Sequence, residues 1–335
     1  MKKLLFITMI VLLACTTAVY AAGKGYPKRN ITAVVVWGAG GGTDTCNRII
    51  HAEMSKFLGV NVNVINKTGG VAGSVGMSHA YSQPHDGYTL CGLSESNVTA
   101  GVQGGWDKKF DVWDTFIVGG SPDIISVTPD TPYKTLQDLI EAAKKAPGTV
   151  KAAASGAGSI HHLNLLAVEK GSGADFNFIP YKGSAPSQNA AMTGEVSVVV
   201  TSLAEQQQLL RGGKLRALGM LIPDSFDVEG LGTIPSAFEA YPGLSEYLPI
   251  SQAIGFAVPA DAPDEAKTVL VDAFKKAMAT EKVKTWAKEN YYLLSGKTGA
   301  ESKAVFDALE SNFAWTLWEL KAATVEPSKL GIPKP

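Results

Sequence analysis

The segment Val34-Val35-Val36-Trp37-Gly38-Ala39-Gly40-Gly41-Gly42-Thr43-Asp44 runs from a short β-branched strand into a glycine-rich loop. A helical pattern starts directly after it, with Thr43 or Asp44 as the expected N-cap and Ile50, Met54, Phe57 and Leu58 at helical spacing. Strand, glycines and helix in that order make an anion cradle. Glycines let backbone N–H groups turn inward, and a helix start adds partial positive charge. The dinucleotide fingerprint GxGxxG fails because threonine stands at 43, and no Lys-Ser or Lys-Thr follows as a P-loop requires. A carboxylate is the anion this reading favours.

Outward from that loop, the chain alternates strand and helix, which predicts parallel α/β sheets. Expected strands are 31–37, 62–65, 88–93, 116–119 and 124–128, followed by a helix over 135–146. The rhythm then restarts with a strand at 150–154, the loop Ser155-Gly156-Ala157-Gly158-Ser159 and a helix from Ile160. Further strands are expected at 176–180, 196–201, 215–220 and 253–258, with closing helices near 263–279, 281–290 and 301–324. Two such units imply two lobes with facing loop edges. Ligands of open α/β sheets bind outside the carboxyl ends of strands, so a cleft between the lobes is the expected site. The boundaries read as 26–124 plus 250–335 for lobe one and 125–249 for lobe two, with hinges near 121–126 and 249–255.

Lys2 and Lys3 precede an apolar run too short to span a bilayer, and Val19-Tyr20-Ala21 offers small residues before a cut. Residues 1–21 therefore read as an export signal, with the mature protein in the periplasm. Lipid attachment at Cys15, after Leu12-Leu13-Ala14, is the competing reading. Without the two signal lysines, 28 basic residues face 31 acidic ones, a formal charge of −3 that argues against nucleic acid as a partner. Cys46 and Cys91 either pair or pack as two small buried thiols, and the second is preferred.

Catalytic and metal signatures are missing from the pattern. Gly92-Leu93-Ser94-Glu95-Ser96 begins like a nucleophile elbow but closes on serine. His161 and His162 are adjacent, so on a helix they diverge by about 100° and make a poor metal pair. No enzyme activity, metal or cofactor is expected.

Several motifs in order carry a resemblance over essentially the whole mature chain. They are Tyr26-Pro27, Gly40 to Asp44, Asn66-Lys67 with Gly69-Gly70-Val71-Ala72-Gly73, and Asp86-Gly87-Tyr88-Thr89-Leu90. Then come Pro180-Tyr181-Lys182-Gly183-Ser184-Ala185-Pro186, Gly212-Gly213-Lys214-Leu215-Arg216-Ala217-Leu218 and Val258-Pro259-Ala260-Asp261-Ala262-Pro263. With these the chain resembles the solute-binding proteins of tripartite tricarboxylate transporters, the Bordetella uptake gene family. The resemblance implies a two-lobed, periplasmic-binding-protein-like (type II) α/β fold with two crossovers, closing on a small organic carboxylate. It also implies delivery to integral-membrane permease subunits, by a monomer. A sensor for a membrane signalling kinase is the alternative.

By position, the ligand contacts implied in lobe one are Trp37, Gly38, Gly40, Gly41, Gly42, Thr43 and Asp44, with Ser94, Ser96 and Asn97. In lobe two they are Ser155, Gly158, Ser159 and His162, the turn Tyr181-Lys182-Gly183, and Thr201. Trp37 is expected as a flat wall for the ligand and Lys182 as a source of positive charge. Glu95 is expected to face away, because an inward carboxylate would repel the ligand. The family's usual Val-Pro-Phe-Ala-Pro reads Val35-Val36-Trp37-Gly38-Ala39 here, Ser197 replaces a frequent aspartate, and a frequent tryptophan is replaced within Ser251-Gln252-Ala253-Ile254. These departures bear on substrate identity rather than on fold.

Overall fold

A computed structural model describes residues 25–248 and 252–335. The export signal and Cys15 lie outside the described residues, as do residues 249–251 at the start of the second expected hinge.

The strands are β1 (Ile31–Val35), β2 (Val62–Asn66), β3 (Thr89–Leu93), β4 (Trp113–Gly120), β5 (Asp123–Val127), β6 (Lys151–Ala153) and β7 (Asn177–Ile179). They continue with β8 (Val198–Ser202), β9 (Arg216–Met220), β10 (Phe226–Val228), β11 (Gly232–Ile234), β12 (Ile254–Pro259) and β13 (Leu293–Thr298). The α-helices are α1 (Gly42–Leu58), α2 (Ser74–Tyr81), α3 (Leu136–Lys145), α4 (Ile160–Ser172) and α5 (Ser184–Met192). They end with α6 (Leu203–Arg211), α7 (Ala237–Ala240), α8 (Asp264–Met278), α9 (Glu281–Glu289) and α10 (Gly299–Glu319).

One sheet has the order β13-β4-β12-β3-β1-β2 and the other β7-β6-β8-β5-β9, with β10 and β11 as a separate hairpin. The protein is thus a two-lobed α/β fold, and the chain passes between sheets at Ser121-Pro122 and again before β12. The sheets are mixed, not parallel as the alternating rhythm implied. β12 runs antiparallel to β3 and β4, and β5 antiparallel to β8 and β9. Each of these strands enters its sheet from the other lobe, without the crossover helix that forces parallel pairing.

Period-two alternation builds the core. Ile31, Ala33, Phe116 and Phe256 face α1 and α8, packing with Cys46, Ile50, Met54, Leu270 and Phe274. Val34, Cys91, Leu93 and Ile117 face the opposite side, against Met77 of α2 and Phe306, Phe313 and Leu317 of α10. Each such side chain, once buried, contributes about 1.5–3 kcal/mol. The second sheet repeats the arrangement, with α3 and α4 on one face and α5 and α6 on the other. Cys46 and Cys91 sit on opposite faces of the first sheet, both free and buried.

Five described elements escape the sequence pattern: α2, β10, β11, α7 and β13 match no expected strand or helix. β13 has a charged and glycine-containing sequence at a sheet edge, and α2 is a short helix with glycine inside it.

Candidate functional site

The glycine loop leaves β1 and starts α1 at Gly42, with Gly41 as N-cap and no side-chain cap. The expected capping by Thr43 or Asp44 does not occur. Asp44 instead reaches back from the first turn to accept the Gly40 amide (2.9 Å) and binds Arg48 and Asn66. Burial works against its charge, yet Arg48, the Gly40 amide and Asn66 hold its carboxyl below the usual range. Asn66 also donates to the Trp37 carbonyl (3.0 Å). Asp44 and Asn66 therefore brace the loop.

The lobes touch directly through their loops. The Gly38 amide donates to the Lys182 carbonyl (3.0 Å), and the Thr99 hydroxyl to the Gly158 carbonyl (2.7 Å). The Ile160 amide, first in α4, donates to Ser96 Oγ (2.8 Å). Trp37 packs against Gly156, where an added Cβ would come 3.2 Å from its ring. Between the lobes lies a small, partly open cavity of about 20 Å³. Its walls include Trp37, Gly41, Gly42 and Thr43, Ser94, Glu95 and Ser96, and Ser155, His161, Ser184, Glu205, Gln252 and Ile254.

Four helix starts converge here, those of α1 from lobe one and α4, α5 and α6 from lobe two. Their first-turn amides lack intrahelical acceptors and concentrate positive potential in the cleft. The Gly42 amide is already satisfied across the cleft by Glu205 Oε1 at 2.6 Å. The other oxygen of Glu205 accepts the Ser202 amide at the start of its own helix (3.0 Å). One carboxylate thereby bridges helix starts from both lobes.

His161 stands beside it, with Nδ1 2.7 Å from Asp123 Oδ2 and Nε2 3.5 Å from Glu205 Oε2. Burial opposes a charged ring, but the facing carboxylates of Asp123, Glu205 and Glu95 carry the imidazole up to about 9. Asn164 supports Asp123 Oδ2 from one turn further along α4 (2.6 Å).

Glu95 lines the cavity and is 1% exposed, contrary to the expectation that it turns away. The second crossover holds it there: the Ala253 amide donates to Oε2 (2.6 Å) and the Glu95 amide returns a bond to the Ala253 carbonyl (3.0 Å). Its other oxygen accepts from Ser96 (2.8 Å). Burial pushes the carboxyl above its ordinary range despite these donors. Gln252 joins the two crossings, accepting the Ser121 amide at 2.9 Å.

Of the residues expected at the ligand, Trp37, Gly41, Gly42, Thr43, Ser94, Ser96 and Ser155 line the cavity together. Ser155 holds a left-handed backbone with φ of 58°, uncommon outside glycine and typical of functional loops. The remaining positions are engaged elsewhere. Asn97 caps the turn after β3 and donates to the Ala72 carbonyl (2.6 Å). Ser159 caps α4, and Gly158 donates to His162 Nδ1 (3.1 Å). His162 stacks on Phe178 with ring centres 3.9 Å apart, and burial lowers its imidazole to about 4. The cavity histidine is thus His161. The Tyr181 amide donates to the Ser155 carbonyl (2.9 Å), Lys182 is exposed and meets lobe one only through its carbonyl, and Thr201 accepts from Gln188 (2.9 Å). Gly183 and Gly38 pass so closely that a Cβ on Gly183 would lie 2.8 Å from the Gly38 amide.

Glu205 and Gln252 line the cavity although the residue pattern did not single them out, and His161 takes the place expected of His162. For Glu205 the only signal is Ser202-Leu203-Ala204-Glu205, which reads as an ordinary capping box. Among the described residues, no group of three or more His, Cys, Asp or Glu side chains is placed to hold a metal ion. No described helix is long and apolar enough to cross a membrane.

Known proteins share this fold. The chain is 30% identical over 306 residues to a UPF0065 protein in the gbd 5′ region of Cupriavidus necator, covering 86% of this chain and 90% of that one. It is 30% identical over 230 residues to protein BugT of Bordetella pertussis, covering 67% and 70%. Among solved structures it is similar to a periplasmic transporter, at 25% identity and a TM-score of 0.79 over 89% of this chain and 99% of that one. MatC of Rhodopseudomonas palustris with bound malate has the same fold, at 23% identity and a TM-score of 0.76 over 87% and 100%. The model of the tripartite tricarboxylate transporter family receptor matches residues 46–293. The chain belongs to the tripartite tricarboxylate transporter receptor family, and it is a receptor rather than an enzyme.

Proposed function

We propose that this protein is a periplasmic receptor that captures a small organic carboxylate between its lobes and delivers it to the permease subunits of a tripartite transporter. The observation that carries this reading is the 2.6 Å bond from the Gly42 amide to a carboxylate oxygen across the cleft. The loop grips a carboxylate, here one supplied by Glu205. A ligand carboxylate enters beside it, onto the first-turn amide of Thr43, the serine hydroxyls of the cavity wall and the starts of α4 and α5. Malate bound to the similarly folded MatC supports the ligand class.

The physical logic is closure. A helix start is worth about 0.3–2 kcal/mol to an anion, and each hydrogen bond to a charged group about 1.5–3 kcal/mol. Those donors belong to both lobes, so the ligand binds the closed form better than the open one and shifts the population toward it. The permease then reads the closed surface.

Mass spectrometry of small molecules retained by the purified exported protein, followed by a thermal-shift screen of organic acids, tests the reading. A carboxylate recovered unchanged and raising Tm supports it. Recovery of a ligand without any carboxyl group overturns it.

A further inference from the structure

The charges around the cavity do not suit a simple dicarboxylate. Glu95 and Glu205 both form its wall, while no lysine or arginine does among the described residues. The one cationic group in the wall, His161, is already held between Asp123 and Glu205. With both glutamates ionised, three carboxylates face one imidazolium; with Glu95 protonated, two do. The site is short of positive charge in either case.

The two glutamates are also fixed rather than free to swing away. Glu95 is tied by the Ala253 amide and Ser96, and Glu205 by the Gly42 and Ser202 amides. A carboxylate oxygen accepts more than one hydrogen bond, so each keeps acceptor capacity toward the cavity. The opposite need is met by Ser94, Ser155, Ser184 and the start of α1, which offer donors. Bringing a second anion to the glutamates, shielded from water, is opposed by both repulsion and desolvation. A cation there is attracted on the same terms.

We propose that the ligand carries a protonated nitrogen as well as its carboxylate, the ammonium lying against Glu95 and Glu205 and the carboxylate against the serines and the start of α1. The inference rests on the carboxylate reading above and narrows it to amino acids or related zwitterions. Burial raises the Glu95 carboxyl in the empty cavity, and an adjacent ammonium favours the ionised form.

The test is calorimetry and thermal shift on the full exported chain with short straight-chain probes in matched sets. Each set holds an α,ω-diacid such as glutarate, the corresponding ω-amino acid such as 4-aminobutyrate, the α-amino acid, and an amine without carboxylate such as n-butylamine. The expected result is preference for a probe bearing both groups, with Glu205→Gln or Glu95→Gln weakening it on the order of tenfold or more. A nitrogen-free diacid bound as tightly as its amino counterpart overturns the inference, and Glu205→Gln tightening that diacid would make Glu205 a rival for the cradle instead. Binding of n-butylamine alone keeps the ammonium contact and overturns the carboxylate reading. Binding of no probe overturns both.

Discussion

Glu205 of lobe two accepts a hydrogen bond from the Gly42 amide of lobe one at 2.6 Å, so the first helix start of the chain is capped from across the cleft. An added Cβ at Gly42 would lie 2.8 Å from Glu205 Oε1 and 2.9 Å from the Tyr292 hydroxyl. At Gly41 the nearest contact is looser, 3.3 Å to the Gly38 carbonyl.

Gly42→Val is therefore expected to hold the lobes apart and weaken ligand binding on the order of tenfold or more, while the separate lobe cores stay folded. Thermal-shift titration with the retained ligand measures the first effect and far-UV circular dichroism the second. Affinity equal to wild type would remove the glycine loop from the site.

His161 makes stability depend on pH in a stated direction. Its imidazole is raised from 6.5 to about 9 in the folded protein, against burial, by Asp123, Glu205 and Glu95. A raised base stabilises the fold fully below its ordinary value and loses that contribution as pH climbs through the folded one. Between pH 6.5 and about 9 the wild type should lose on the order of 2–3 kcal/mol that His161→Asn does not lose. Denaturant melts of both proteins across that window provide the comparison.

Ser96 links lobe one to lobe two by donating to Glu95 and accepting from the Ile160 amide. Ser96→Ala leaves that buried amide without its acceptor, at a cost of about 1–3 kcal/mol to the closed form. Small-angle scattering should show a larger radius for the unliganded variant than for wild type.

Gly255 lies where β12 pairs with β4, and an added Cβ would fall 1.8 Å from the Phe116 carbonyl oxygen. The atoms in its way are all β4 backbone, with no flexible side chain to yield. Gly255→Ala should destabilise the protein by about 3 kcal/mol or more, read as a lower urea midpoint.

The periodic parts of this fold were legible before any coordinates. Short apolar, β-branched runs announced β1 and β8, and the Leu136, Leu139, Ile140, Ala143 stripe announced α3. β13 was invisible because an exposed edge strand needs no apolar alternation. The glycine loop was recognisable because glycine is scarce in strands and helices and expensive to order. Its occupant was not, since Glu205 lies 163 positions away and is explained locally by its own helix start.

Local chemistry along the chain was enough to specify where strands end, where helices begin and which loops can present bare amides, because those properties act over a few residues. Which of two neighbouring histidines enters the cleft, and whether Glu95 faces in or out, depends on how the lobes meet. Rotation of about 100° per helical residue separates His161 from His162, and contact with Ala253 holds Glu95 inward. Contacts between residues so distant in the chain are set by packing of the two lobes, and packing leaves no short-range mark in sequence.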